Sequence, residues 1–149
     1  MKKKVFSVMA TCFCMALLAA ATVHAQVPGT AVRATIPFDF SVSGKTLPAG
    51  RYEIRRIDSG PDGLIISNLN NKHSKAMFET EPVEARRLSS RPKIMFHRYG
   101  DSYFLSEVFA GGDQTGRELV PSRQERTLRR QLASNGNKTQ PETVALATD

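Results

Sequence analysis

The sequence has little cysteine, and both cysteines lie near the N-terminus. Cys12 and Cys14 fall within an apolar stretch that runs from Val5 to Val23 of the 149-residue chain. Removal of that stretch after export would leave a chain without thiols, which excludes structural disulfides and cysteine nucleophiles. The Gly-x-Ser-x-Gly motif of serine hydrolases is also missing, so a nucleophile elbow is excluded as well.

Histidine is scarce too. Of the three histidines, only His73 and His97 lie beyond the N-terminal stretch, in separate segments without paired-ligand spacing. The sequence therefore predicts no metal site, no cofactor and no catalytic residue. His97 lies in an apolar hairpin, with Asp101 and Glu107 near it in sequence, and we interpret it as a hydrogen-bonded histidine on a sheet face. A catalytic role for His97 is the alternative.

The N-terminus is typical of a secretory signal. Lys2, Lys3 and Lys4 precede the apolar stretch, and Val23-His24-Ala25 supplies small residues where a signal peptidase cuts. We expect cleavage after Ala25, so that residues 1–25 are a signal peptide and the mature protein is periplasmic, bound to the cell envelope or secreted. An uncleaved membrane anchor is the alternative. A spanning helix needs roughly 20 apolar residues, and the stretch from Val5 to Val23 nearly reaches that length.

The mature chain is small and only mildly basic. Removing 25 of 149 residues leaves a length suited to one domain that can bury its own core. Three of the 21 basic residues leave with the signal, so 18 face 14 acidic residues and the net charge falls from +7 to +4. This balance does not indicate nucleic acid binding, and none is expected.

Alternating apolar residues predict the first strand. Every even position from Val32 to Val42 is apolar, which is the pattern of a half-buried strand. Pro37 cannot donate a ladder hydrogen bond, so we expect a sheet edge or a bulge there. The segment Arg51–Ile54 is predicted to pair with this strand in a hairpin with an elaborated loop.

Four more strands are predicted between clusters of turn residues, at 64–69, 74–80, 93–99 and 102–109. Residues 81–92 are predicted to be a surface connection, and Gly111-Gly112 is predicted to end the sheet. A two-residue turn at Gly100-Asp101 joins the last two strands. It places Phe96 opposite Leu105, His97 opposite Phe104 and Arg98 opposite Tyr103.

The C-terminal part is predicted to contain one helix. Ser122 and Glu125 have the spacing of a capping box, which begins a helix at Arg123 that ends near Leu132. Its apolar stripe is narrow, and the chain from Ser134 onward is polar and without periodicity. The predicted organisation is a β-rich domain at 26–120, a basic helix at 121–133 and a disordered tail at 134–149.

These elements predict an all-β fold, a small antiparallel meander of about six strands closed as a barrel or sandwich, followed by the basic helix. Arginine is concentrated in two places, the 81–92 connection and the helix. Such groups are typical of a solvated face or of contact with an anionic partner, such as phospholipid, acidic polysaccharide or an acidic protein. The seven candidates for that contact are Arg86, Arg87, Arg91, Arg123, Arg126, Arg129 and Arg130.

Four short motifs resemble those of a family of short exported proteins from soil bacteria. They are IPFDF at 36–40, LPAGRY at 47–52, PVEARR at 82–87 and FHRYG at 96–100, and the resemblance runs from about residue 36 to 118. It implies export and a compact β-rich fold. It implies no catalytic or binding residue.

Three functional hypotheses follow. The first is a non-enzymatic module of the cell envelope that binds a partner or has a structural role. The second is a small β-barrel that holds an apolar ligand, because eight phenylalanines and three tyrosines could line its interior. The third is a hydrolase built around His97. The sequence identifies neither the ligand nor the oligomeric state.

Overall fold

The computed structural model describes residues 31–57, 60, 62–134 and 141–147. The predicted signal peptide, residues 1–25, lies outside this part. Strands account for 55% of the described residues and helix for 11%, so the predicted all-β class is confirmed. In chain order the elements are β1 (Val32–Ile36), β2 (Phe40–Val42), β3 (Lys45–Leu47), β4 (Gly50–Arg56), β5 (Gly63–Asn68), β6 (Lys75–Glu84), β7 (Lys93–Tyr99), β8 (Ser102–Phe109), β9 (Thr115–Leu119), α1 (Arg123–Ser134) and β10 (Glu142–Ala147).

The ten strands form one continuous sheet that is not closed into a barrel. The order is β1-β4-β5-β6-β9-β8-β2-β3, and β7 extends from β8 to β10. Strand β6 connects the two halves, because residues 75–79 pair with β5 and residues 80–84 pair with β9. The predicted number of about six strands was therefore too low, and the barrel, one of the two predicted forms beside the sandwich, is not formed. Most pairs are antiparallel, but β2 runs parallel to β8.

The first predicted strand is two strands. The chain leaves β1 at Pro37 and begins β2 at Phe40, and the two strands pair with different neighbours. Proline has no N–H to continue the ladder, so the break falls there. The even positions from Val32 to Val42 are buried or half-buried, as predicted. The alternation is confirmed in β1, whereas in β2 the odd residue Ser41 is buried as well. The predicted hairpin is β1 with β4, in which Val32 lies opposite Ile54.

The β7–β8 hairpin has the predicted register. Phe96 lies opposite Leu105, and the His97 and Arg98 pairs also match the prediction. The register shifts between Met95 and Phe96, where Ser106 is the extra residue of a bulge. Because the bulge moves β8 by one residue, the segments before and after it can both turn apolar side chains into the core.

Three boundaries differ from those predicted. Strand β6 continues past Pro82 to Glu84, so the connection to β7 is shorter than the predicted 81–92. Proline is tolerated there because this part of β6 pairs with β9 on one side only. Strand β9 follows Gly111-Gly112, so the sheet does not end there. Residues Glu142–Ala147 of the expected disordered tail form β10 along β7. Its apolar run, residues 144–147, is too short to predict a strand on its own, and the segment pairs with the edge of β7.

The core lies between the two halves of the sheet and is filled by side chains from both. Phe40 and Phe96 from one half and Tyr52 from the other are fully buried. Their rings meet edge to face, with centroids 5.2 Å apart for Phe40–Tyr52 and 5.5 Å apart for Phe40–Phe96. The Tyr52 hydroxyl donates a 2.6 Å hydrogen bond to the Pro48 carbonyl, which satisfies its polar end. Large aromatic side chains therefore occupy the interior.

Candidate functional site

Helix α1 is held on the sheet by a buried carboxylate. The predicted cap is present, because Ser122 Oγ accepts a 3.1 Å hydrogen bond from the backbone N–H of Glu125. The Glu125 carboxylate, however, faces the sheet. Its Oε1 lies 2.8 Å from Nδ1 of His97 and 3.4 Å from the hydroxyl of Tyr99. Glu125 is 5% exposed and is the buried residue of the helix. We call Glu125, His97 and Tyr99 the Glu125 cluster.

The strand pleat explains why this cluster forms on the outer face of β7. Ile94 and Phe96 point into the core, so the alternating residues His97 and Tyr99 point away from it. A carboxylate can be buried there because the imidazole and the phenol bind it. Burial, together with the Glu125 charge, raises the pKa of the Tyr99 hydroxyl above its ordinary range. His97 is thus hydrogen-bonded on a sheet face, as its sequence position indicated.

The sequence did not identify the partner of His97. Asp101 and Glu107 are near it in the chain, but the hydrogen bond goes to Glu125, 28 residues away. The one available signal is that Glu125 is the only carboxylate in a helix with four arginines. Among the described residues, no serine, threonine or cysteine side chain is hydrogen-bonded to His97. The contacts of the cluster fasten the helix to the sheet.

Glu107 lies on the same face as His97. It is opposite Glu118 on β9, and its pKa is raised by burial and by the Glu118 charge, while His97 and Arg86 act to lower it. Glu107 also lines a cleft of about 600 Å³ under the β6–β7 connection. Arg86 and Arg87 line the same cleft, so the structure brings two of the three predicted loop arginines next to a carboxyl group of raised pKa.

The seven predicted arginines share one property. All are exposed, and none has a carboxylate within 4.0 Å among the residues that the structure describes. Three arginines elsewhere do have such partners, as in the 2.8 Å pair of Arg33 with Glu53 and the 3.0 Å pair of Arg117 with Asp62. Arg51, Arg55 and Arg56 of β4 are exposed and, like the seven, have no carboxylate within 4.0 Å in the described ranges.

The structure does not bring the two groups of arginines to one depression. Arg123 and Arg126 of the helix line an open groove of about 1190 Å³. This groove shares no lining residue with the cleft that Arg86 and Arg87 line. In the groove, the Arg126 guanidinium donates a hydrogen bond to the Pro121 carbonyl, which holds it at the start of the helix.

In the described ranges there is no group of three or more side chains placed to hold a metal ion. No helix in these ranges has the length and apolar character needed to cross a membrane. Comparisons with protein-family models, with curated proteins and with solved structures find no match for this chain. The resemblance to a family of exported proteins therefore stays a prediction.

Proposed function

We propose that the chain is an exported, non-enzymatic binding module of the cell envelope, whose exposed arginines hold a carboxylate-bearing component. The observation that carries this proposal is the set of seven arginines without carboxylate partners among the described residues. A guanidinium presents a planar fork of donors that matches a carboxylate in two parallel hydrogen bonds. An acidic polysaccharide presents many such carboxylates in a row.

The spacing of the helical arginines supports an external anion. Arg123, Arg126 and Arg130 follow one another at three and four residues, so they are neighbours on one side of the helix. Like charges at that spacing each destabilise a helix by about 0.2–0.5 kcal/mol. An anionic partner relieves this repulsion, because it places negative charge between the guanidinium groups.

The Glu125 cluster supports the proposal in another way. Because one buried carboxylate fixes the helix on the sheet, the arginines are held in place before a partner arrives. A prearranged surface loses less conformational entropy on binding than a mobile segment does.

Two alternatives have less support. A barrel that holds an apolar ligand needs an open interior, whereas this sheet is not closed and its centre is filled by Phe40, Tyr52 and Phe96. A hydrolase with a catalytic triad needs a nucleophile beside the histidine. Glu125 and His97 resemble the orienting half of a catalytic triad. Within the described chain, however, His97 has no hydrogen bond to a side chain that could act as the nucleophile.

The test uses the mature protein, residues 26–149, and polygalacturonate as the acidic polysaccharide. We expect binding that weakens steeply with salt. The quadruple variant Arg123→Gln/Arg126→Gln/Arg129→Gln/Arg130→Gln should lose at least about tenfold in affinity, as expected for removal of several charge-assisted hydrogen bonds.

The loop variant Arg86→Gln/Arg87→Gln/Arg91→Gln tests the second group. Its charge-matched control is Arg33→Gln/Arg51→Gln/Arg55→Gln, which removes three exposed arginines from the outer face of β1 and β4. The control should bind as the wild type does. Equal affinities for the wild type, the quadruple variant and the loop variant would refute the proposal.

Export is part of the same proposal. Protein recovered from an exporting host should begin at Gln26, because the predicted cleavage follows Ala25. Intact-mass measurement checks this, and a full-length mass in the membrane fraction would favour the uncleaved anchor instead.

A further inference from the structure

Four basic side chains from three segments of the chain line one depression at the surface. The depression has a volume of about 590 Å³ and lies between the β2–β3 turn and the β5–β6 turn. Apart from these four basic side chains, the lining is uncharged. We call the four the lysine cluster: Lys45, Lys72, His73 and Lys75. We infer that this cluster binds the phosphate groups of an anionic phospholipid surface.

The backbone of Lys75 holds one of these ammonium groups over the depression. Nζ of Lys45 donates a 2.8 Å hydrogen bond to the carbonyl of Lys75, so the side chain from β3 lies across the start of β6. Neither Lys45, Lys72 nor Lys75 has a carboxylate within 4.0 Å in the described part of the chain. Like charges held together repel one another, and an anion between them removes the repulsion.

The turn that carries Lys72 and His73 is ordered by Asn68. The side-chain Oδ1 of Asn68 accepts hydrogen bonds from the backbone N–H groups of Asn70 at 2.8 Å and Asn71 at 2.9 Å. Its own backbone N–H donates to the carbonyl of Ser74 at 2.9 Å. Asn68 is itself buried, so the turn is anchored to the sheet. The backbone that carries Lys72 and His73 is therefore fixed before an anion binds.

An apolar pair beside the cluster indicates a lipid surface. Ile65 and Met77 are cross-strand neighbours that line the same depression, and Met77 is 62% exposed. A lysine ammonium binds phosphate as a point charge, while aliphatic side chains gain by leaving water at the lipid boundary. Basic groups around an exposed methionine therefore fit phospholipid better than a soluble anion. This inference does not depend on the arginine proposal, because both the residues and the ligand differ.

The test is flotation of the mature protein with two kinds of vesicle, phosphatidylcholine alone and phosphatidylcholine mixed with phosphatidylglycerol. We expect binding to the mixed vesicles only. The variant Lys45→Gln/Lys72→Gln/Lys75→Gln should lose on the order of a hundredfold in affinity, since each basic residue near an anionic surface contributes roughly fivefold. The variant Lys45→Arg/Lys72→Arg/Lys75→Arg keeps the charges and should bind.

Two further variants separate the cluster from general electrostatics. Arg33→Gln/Arg51→Gln/Arg55→Gln removes the same number of charges from β1 and β4 and should float with the mixed vesicles as the wild type does. Met77→Gln leaves the charge unchanged and should weaken vesicle binding a few-fold, because it removes the apolar contact. Circular dichroism of each variant confirms that it is folded.

Three results would overturn the inference. The first is equal flotation of the wild type and the lysine-to-glutamine variant. The second is an equal loss from the variant of Arg33, Arg51 and Arg55, which would indicate diffuse attraction. The third is tight binding of inorganic phosphate, measured by calorimetry, without vesicle binding, which would identify a soluble phosphate ligand. None of these results bears on polygalacturonate binding by the arginines, so the two proposals can fail separately.

Discussion

Replacing Glu125 by alanine tests how the helix is held on the sheet. The substitution removes the 2.8 Å contact of its carboxylate with His97 and the 3.4 Å contact with Tyr99. A hydrogen bond to a charged group contributes about 1.5–3 kcal/mol to the free energy of unfolding. The Tyr99 contact is long and adds little. The His97 side chain is 25% exposed, so water partly replaces the lost bond. We expect a loss of about 2 kcal/mol.

Other effects of this substitution are small and opposed. Alanine has a slightly higher helix propensity than glutamate. A carboxylate in the first turn is favoured by the helix dipole, by about 0.3–1 kcal/mol. The estimate therefore depends on the Glu125 cluster. Glu125→Gln keeps an oxygen that can accept from His97, so we expect a smaller loss, about 1 kcal/mol. The exposed neighbour Gln124 supplies the control, and Gln124→Ala should change stability by less than about 0.5 kcal/mol.

The assay is urea unfolding of the mature protein, followed by circular dichroism. A double-mutant cycle with His97→Gln isolates the pair, and we expect a coupling free energy of at least about 1 kcal/mol between positions 97 and 125. A loss below about 0.5 kcal/mol for Glu125→Ala, or strictly additive effects in the cycle, would refute the reasoning.

Three further perturbations follow from the packing. Glu107→Gln should raise the free energy of unfolding at pH 7 by about 0.2–1 kcal/mol, because it removes a charge opposite Glu118. The folded-state pKa of Glu107 is raised, so the wild type loses the Glu107 charge as the pH falls through that pKa. Urea unfolding at a series of pH values should therefore show the stability advantage of Glu107→Gln shrinking as the pH falls. Gly116→Ala should cost about 1–3 kcal/mol in thermal unfolding, because its Cβ would overlap the Phe109 ring; an unchanged midpoint would contradict this packing. Ending the chain at Ser134 removes β10 with two half-buried apolar side chains and should cost about 2 kcal/mol in the same assay, whereas unchanged stability would mean that β10 adds nothing to the fold.

The sheet was predictable where its signals are local. Alternation from Val32 to Val42 identified the buried face because successive side chains of a strand point to opposite sides. The Gly100-Asp101 turn set the register of β7 and β8 because a two-residue turn leaves one alignment of the flanking strands. The capping residue Ser122 placed the start of the helix at Arg123, where the structure begins it.

The remaining strands could not be predicted because their order depends on distant partners. Strand β9 has a weak pattern of its own and forms beside β6 and β8. Strand β10 is a short segment with two half-buried apolar side chains, and it forms by pairing with the edge of β7. The break at Pro37 was visible, but its consequence was not, since the chain changes neighbours there and a sequence does not show which strands are available.

The sequence by itself determined the strand faces, the turns, the helix start and the arginine-rich segments, because spacing along a few residues sets each of them. Only the tertiary structure decided the ten-stranded arrangement, the contact of Glu125 with His97 and the meeting of Lys45 with Lys75. These contacts join residues 28 and 30 positions apart. Their energies depend on distance in space, which becomes defined only when the sheet has folded over its core.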